Sequence, residues 1–118
     1  MADRYDIQRG WRLWIALSQT DDIGRVLLNG EVVCQTAIRG PEAEVELTNV
    51  LVMGPNQLAV HAENTAPRFW KLRHQIRVRD LNGNAPPHIP DGRIDITGTG
   101  TTPHSGIQQS WEYVFTVS

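Results

Sequence analysis

Residues 69–79 read Phe69-Trp70-Lys71-Leu72-Arg73-His74-Gln75-Ile76-Arg77-Val78-Arg79, and Trp70, Leu72, Ile76 and Val78 alternate with five polar residues, four of them cationic. A period of two is that of a strand with one face in a core and the other in water. His74 falls on the apolar face, where a hydrogen-bonded core or edge histidine is the expected role. The same period recurs upstream. In residues 11–17, Trp11, Leu13, Ile15 and Leu17 share one face, and Arg12, Trp14, Ala16 and then Ser18 share the other. Val26-Leu27-Leu28 leads through Asn29-Gly30 into Val32-Val33-Cys34, the signal of a hairpin closed by a two-residue turn with positive φ. Residues 42–47 alternate Glu42, Glu44 and Glu46 with apolar positions, and residues 57–63 turn Leu58, Val60 and Ala62 inward, with a Gly54-Pro55-Asn56 turn between them.

Downstream, residues 93–97 and 110–117 supply two more strands. Residues 80–91, with Asn82-Gly83-Asn84 and three prolines, read as a long loop, and the glycine-rich residues 98–106 as a flexible one. No helical period exceeds a turn. About eight short strands in 118 residues predict an all-β, jelly-roll β-sandwich occupying residues 1–118 as a single domain.

The composition narrows the function classes. Eleven basic and 13 acidic residues leave a net charge of −2, so a general polyanion binder is not expected and nucleic acid is an unlikely partner. No run approaches the ~20 apolar residues of a membrane helix, so no membrane partner is expected. One cysteine, Cys34, cannot form an internal disulfide, and the compartment stays open. The charge is nevertheless segregated, with +5 in residues 64–79 and −4 in residues 31–63.

Three stretches carry a family resemblance. They are Thr20-Asp21-Asp22; Arg25-Val26-Leu27-Leu28-Asn29-Gly30-Glu31-Val32-Val33; and Leu51-Val52-Met53-Gly54-Pro55-Asn56-Gln57-Leu58-Ala59-Val60 with Glu63-Asn64. With the closing run from Trp111 to Val117, their order resembles the galactose-binding-domain-like jelly-roll modules that accompany many glycoside hydrolases. A Leu-Asn-Gly turn followed by a Gly-x-Asn-x-Leu-Ala-Val strand is the shared pattern. The resemblance implies the sandwich fold and, by analogy, carbohydrate binding. Beyond Pro67 the chain departs from the pattern.

The chemistry-bearing residues point to binding rather than catalysis. Asp21 and Asp22 precede a strand, and similar pairs in related lectin modules hold calcium; a polar turn is the simpler role. Asp80, Asn82 and Asn84 are spaced like the first calcium-loop ligands, but Gly83 is misplaced and Asp91 is too short for the bidentate position. Calcium is thus the only cofactor suggested, and no residue set has metal-site spacing. His61, His74, His88 and His104 are scattered, Cys34 sits in a strand, and Ser105 beside His104 makes a poor dyad. The expectation is that the protein is not an enzyme.

Trp111, Tyr113 and Phe115 line one strand face and are expected in the core. Trp14, opposite the Trp11 face, is the best candidate for an exposed contact, with Trp70 as another stacking surface. The expected carbohydrate-binding set is therefore Asp21, Asp22, Asn82 and Asn84, in loops 21–24, 80–91 and 98–106 gathered at one end of the sandwich, with Trp14 or Trp70 as the stacking surface. Lys71, Arg73, Arg77 and Arg79 form a cationic stripe that is either neutralised by Glu42, Glu44 and Glu46 or used at an interface. Two functions follow: a non-catalytic carbohydrate-binding module, or a structural protein such as a phage or virus particle component or an assembly adaptor. The partner is a carbohydrate or a protein, a second copy of the chain included.

Overall fold

A computed structural model describes residues 2–20, 23–36, 41–64 and 69–118. Nine strands occur among them: β1 (Asp3–Ile7), β2 (Arg12–Ser18), β3 (Ile23–Leu28), β4 (Glu31–Gln35), β5 (Ala43–Glu46), β6 (Gly54–Asn64), β7 (Phe69–Arg79), β8 (Arg93–Thr101) and β9 (Gly106–Val117). They form a five-stranded sheet in the order β1-β9-β6-β3-β4 and a four-stranded sheet in the order β5-β2-β7-β8. The two sheets pack as a β-sandwich, 44 Å long and 22–23 Å across. No helix among the described residues is long and apolar enough to cross a membrane.

Alternation builds the core. Leu13, Ile15 and Leu17 of β2 and Trp70, Leu72, Ile76 and Val78 of β7 face Val26, Leu28, Leu58, Val60, Tyr113 and Phe115 of the other sheet, all buried. The turn between β3 and β4 has positive φ at both Asn29 and Gly30, as a two-residue hairpin needs. Neighbouring strands are antiparallel except β1, which runs parallel to β9 with Tyr5 opposite Phe115. The ends of the sandwich follow from the register. One end gathers residues 8–11, 29–30, 47–53 and 80–92; the loop at residues 102–105 lies at the other.

Three local expectations need correction. Residues 54–56 are the start of β6, paired with β9, and not a separate turn. β1, with Asp3, Arg4 and Asp6 among five residues, was not expected; an edge strand exposes most of its side chains and shows little apolar pattern. Residues 98–101 are strand, not flexible loop, because their glycines serve packing. A Cβ on Gly98 would lie 2.4 Å from the Trp111 ring, and one on Gly100 2.8 Å from Trp70 Nε1. Gly98→Ala is therefore expected to destabilise the fold by about 2 kcal/mol, roughly 8 °C in Tm. A thermal melt within a degree of the parent would show that the indoles can yield.

Candidate functional site

The expected stacking residues are placed differently from the sequence reading. Trp70 is only 7% exposed and meets Trp111 edge-on, with ring centroids 6.4 Å apart, so it is core and not a platform. Trp14 does point outward from the four-stranded sheet, but it is half-buried. The Arg12 and Arg77 guanidinium groups lie over its ring, 4.3 and 5.0 Å from the centroid. A ligand stacking there would have to displace a cation–π contact.

Asp21 and Asp22 lie outside the described residues. Asn82 and Asn84 are exposed in the β7–β8 loop, where the Asp80 carboxylate accepts their backbone N–H groups at 2.8 and 2.9 Å. Asp80 thus closes its own loop as an Asx turn. The loops expected at one end are divided: residues 80–91 lie at the opposite end of the sandwich from residues 102–105. Strand direction is the reason, since the nine residues of β8 run from one loop to the other along the sandwich. Among the described residues, no three His, Cys, Asp or Glu side chains come together in a way that could hold a metal.

The cationic stripe is largely spent within the fold. β2 stands between β5 and β7, yet Arg77 reaches across it to Glu44 at 3.2 Å. Arg12 of β2 clasps Glu46 through two bonds of 2.7 and 3.1 Å, and Thr48 adds a third to the same carboxylate. These donors, Arg12 first, hold the Glu46 carboxyl down to about 2. Arg73 makes a bidentate pair with Asp95 of β8 at 2.6 and 2.9 Å, and this holds the Asp95 carboxyl far below the usual range. Arg79 donates to the Val78, Asp91 and Gly92 carbonyls. Lys71 has no ion-pair partner among the described residues.

The core also holds a histidine–tyrosine pair. His74, fully buried, shares a 2.6 Å hydrogen bond with the Tyr113 hydroxyl, and its Nδ1 has no partner among the described residues. The Trp111 ring lies 5.0 Å from the imidazole. Burial pushes His74 down to about 4 and raises Tyr113, so both are neutral near pH 7. With no opening to solvent at His74, this pair is structural.

One concavity was not expected. It lies at the end carrying residues 8–11 and 47–53, a cleft of about 510 Å³ lined by Gln8, Arg9, Trp11, Asn49, Leu51 and Met53 among others. A second depression of about 350 Å³ adjoins it, sharing Gln8 and Trp11 and reaching Pro87 and His88. Trp11, half-buried, belongs to both linings. Its position is set by a tight turn, with its N–H donating to the Gln8 carbonyl at 3.1 Å around Gly10. On the far side its ring approaches His88, 6.2 Å between centroids, and His88 Nε2 donates to the Asp6 carbonyl.

The opposite wall is anchored as well. Leu47 N–H donates to Leu13 O, and Leu13 N–H donates to Thr48 Oγ1. The side chains of Gln8, Arg9 and Asn49 are exposed and make no hydrogen bond to any described residue. The larger cleft therefore combines an indole, the apolar side chains of Ile7, Leu51, Met53 and Val117, two amides without a described partner and one guanidinium, with no carboxylate side chain in its lining. Sequence reading missed it because Trp11 was assigned to the buried face of a strand that in fact begins at Arg12. Recognising β1 would have exposed the signal, since Gln8-Arg9-Gly10 then becomes a turn between two strands. No family model, curated protein or solved structure matches the chain.

Proposed function

We propose that the protein is a non-catalytic, carbohydrate-binding module of galactose-binding-like type, with its ligand seated in the Trp11 cleft. The observation that carries this reading is the meeting of a half-buried indole with the unengaged side chains of Gln8, Arg9 and Asn49. A sugar ring offers an apolar C–H face and a rim of hydroxyls, and such a ligand asks for an aromatic surface flanked by free amides. The cleft volume falls within the usual range for small-ligand sites. Arg9, unopposed by a carboxylate in the lining, adds a preference for sugars bearing an acidic group.

The test is calorimetric titration with a panel of neutral and uronic-acid oligosaccharides. Saturable binding weakened at least tenfold in Asn49→Ala or Arg9→Gln, but unchanged in Trp14→Ala, is the expected result. Trp11→Ala should abolish it. Absence of heat across the panel, or binding indifferent to all three cleft variants, would overturn the assignment. The alternative reading, an assembly component, draws its support elsewhere, from the unpaired outer edge of β8.

A further inference from the structure

The two sheets present four edges, and three of them are blunted against pairing with another chain. β1 is five residues long and carries Asp3, Arg4 and Asp6. β4 is also five residues long, and its register with β3 is broken by a bulge. β5 has four residues, two of them Glu, and follows Pro41. Short length, charge, bulges and proline are the usual protections of an exposed edge.

β8 has none of these beyond its first three residues. It runs nine residues in unbroken register with β7, and Ile96-Thr97-Gly98-Thr99-Gly100-Thr101 is free of charge and proline. On its outer side no described strand pairs with it. That leaves a row of backbone N–H and C=O groups about 30 Å long.

We infer that two copies of the chain pair through β8, antiparallel about a two-fold axis at Thr97, so that the four-stranded sheets join into one of eight strands. This deepens the assembly reading and is independent of what the Trp11 cleft binds. The register follows from the sequence of β8. Only the alignment with Thr97 opposite Thr97 overlaps all nine residues. On the inner face it sets Ile94 against Gly100 of the second copy and Ile96 against Gly98, so each branched side chain meets a position without one. The Trp111 and Trp70 rings already lie against those two glycines. Ile96, 37% exposed in the single chain, then packs beside the half-buried Trp111 of the second copy.

On the outer face Arg93 meets Thr101, Asp95 meets Thr99, and Thr97 meets itself, a favourable cross-strand pair with no like charges opposed. Moving the two-fold axis two residues toward the start of the strand, a slide of four residues in register, would set Asp95 against Asp95. A contact as long as β8 across a molecule 22 Å thick covers on the order of 600 Å² per copy, near the lower end of stable interfaces. A dimer that dissociates on dilution is the consequence.

Sedimentation equilibrium between 1 and 300 µM tests this directly. The mass should rise with concentration toward twice 13.3 kDa. Ile96→Lys, which charges the inner face of the edge, and Thr99→Lys, which charges the outer face and gives up only the hydroxyl's bond to the Trp70 carbonyl, should both remain monomeric with an unchanged circular dichroism spectrum. In a Cys34→Ser background, Thr97→Cys should oxidise to a covalent dimer and Thr101→Cys should not. A parent chain still monomeric at 300 µM overturns the pairing and leaves the edge to a strand of a different protein. A dimer that survives both lysine variants, or equal cross-linking at residues 97 and 101, overturns the edge or the register. None of these readouts depends on sugar binding.

Discussion

Asn56→Ala is expected to lower the unfolding free energy by about 3 kcal/mol, a large share of a small domain's stability. Asn56 is fully buried, and its amide uses both ends. Oδ1 accepts from Val52 N–H at 2.9 Å, while Nδ2 donates to the carbonyls of Val52, Gly54 and Phe115 at 2.8 to 3.1 Å. A longer bond of 3.3 Å ties Oδ1 to Asn29 Nδ2, and Asn29 in turn accepts from Gln57 N–H. One side chain thus holds the β5–β6 connection, the β3–β4 turn and β9 together. Alanine would leave the Val52 N–H and the Val52, Gly54 and Phe115 carbonyls without the amide that now pairs them. Asn56→Asp should fare no better, because it loses the donors and buries a charge. Urea unfolding measures both; a loss under 1 kcal/mol would mean that the clamp relaxes at little cost.

Acidification should expose the His74–Tyr113 pair. The imidazole titrates at about 4 in the fold against 6.5 in the unfolded chain. Between those values the unfolded state binds the proton and the folded state does not, so stability falls as pH falls through this window. Above pH 6.5 the full stability is present. At pH 4.5 about 2.5 kcal/mol should be lost from this residue, on the scale of about 1.4 kcal/mol per unit. The carboxylates act lower. Glu46 and Asp95 are both depressed, so their contributions are complete only above the unfolded values of 4.5 and 3.8 and are lost as pH falls below them. Urea unfolding at pH 7 and 4.5 reads a loss dominated by the histidine, with Glu46 only beginning to contribute at the lower value. The double variant His74→Leu with Tyr113→Phe, which removes both polar partners together, should flatten the dependence between those two pH values. A parent protein equally stable at both would show that protonated His74 finds solvent or a partner.

The fold was legible wherever alternation was strong. β7 was read with the bounds it has, and β2, β6 and the Asn29-Gly30 hairpin were read within a few residues. Each buries one face against the other sheet, and that is what writes a period of two into a sequence. The reading failed where a residue type had a second meaning. Gly98 and Gly100 looked like freedom and are space for two indoles. The Gly54-Pro55-Asn56 cluster looked like a turn and is the first pairing of β6 with β9.

The site was less legible than the fold. Periodicity gave the side of a strand on which Trp14 and Trp70 lie, but not what covers them. Trp14 is covered by guanidinium groups from its own and the neighbouring strand. The cleft depends on Gln8, Arg9 and Asn49, residues 40 positions apart that meet only because β1, β2, β5 and β6 end together. No local pattern records such a meeting. The acidic and basic rows, by contrast, were visible as segregated charge, but only Arg77–Glu44 joins one row to the other; Glu46 is taken by Arg12 and Arg73 by Asp95, partners outside both rows.

The parallel pairing of β1 with β9 has a consequence for biosynthesis. Tyr5 and Phe115 are neighbours in the sheet but 110 positions apart in the chain. At about 5–20 residues per second, β1 leaves the ribosome on the order of ten seconds before its partner exists. β6, which lies against β9 over its whole length, waits with it. The larger sheet therefore closes only when synthesis reaches β9, and until then the nascent chain presents β6 as an eleven-residue open edge. A truncation before β9 should accordingly bind a holdase chaperone in a cell-free translation reaction, and release from it should coincide with addition of the final strand.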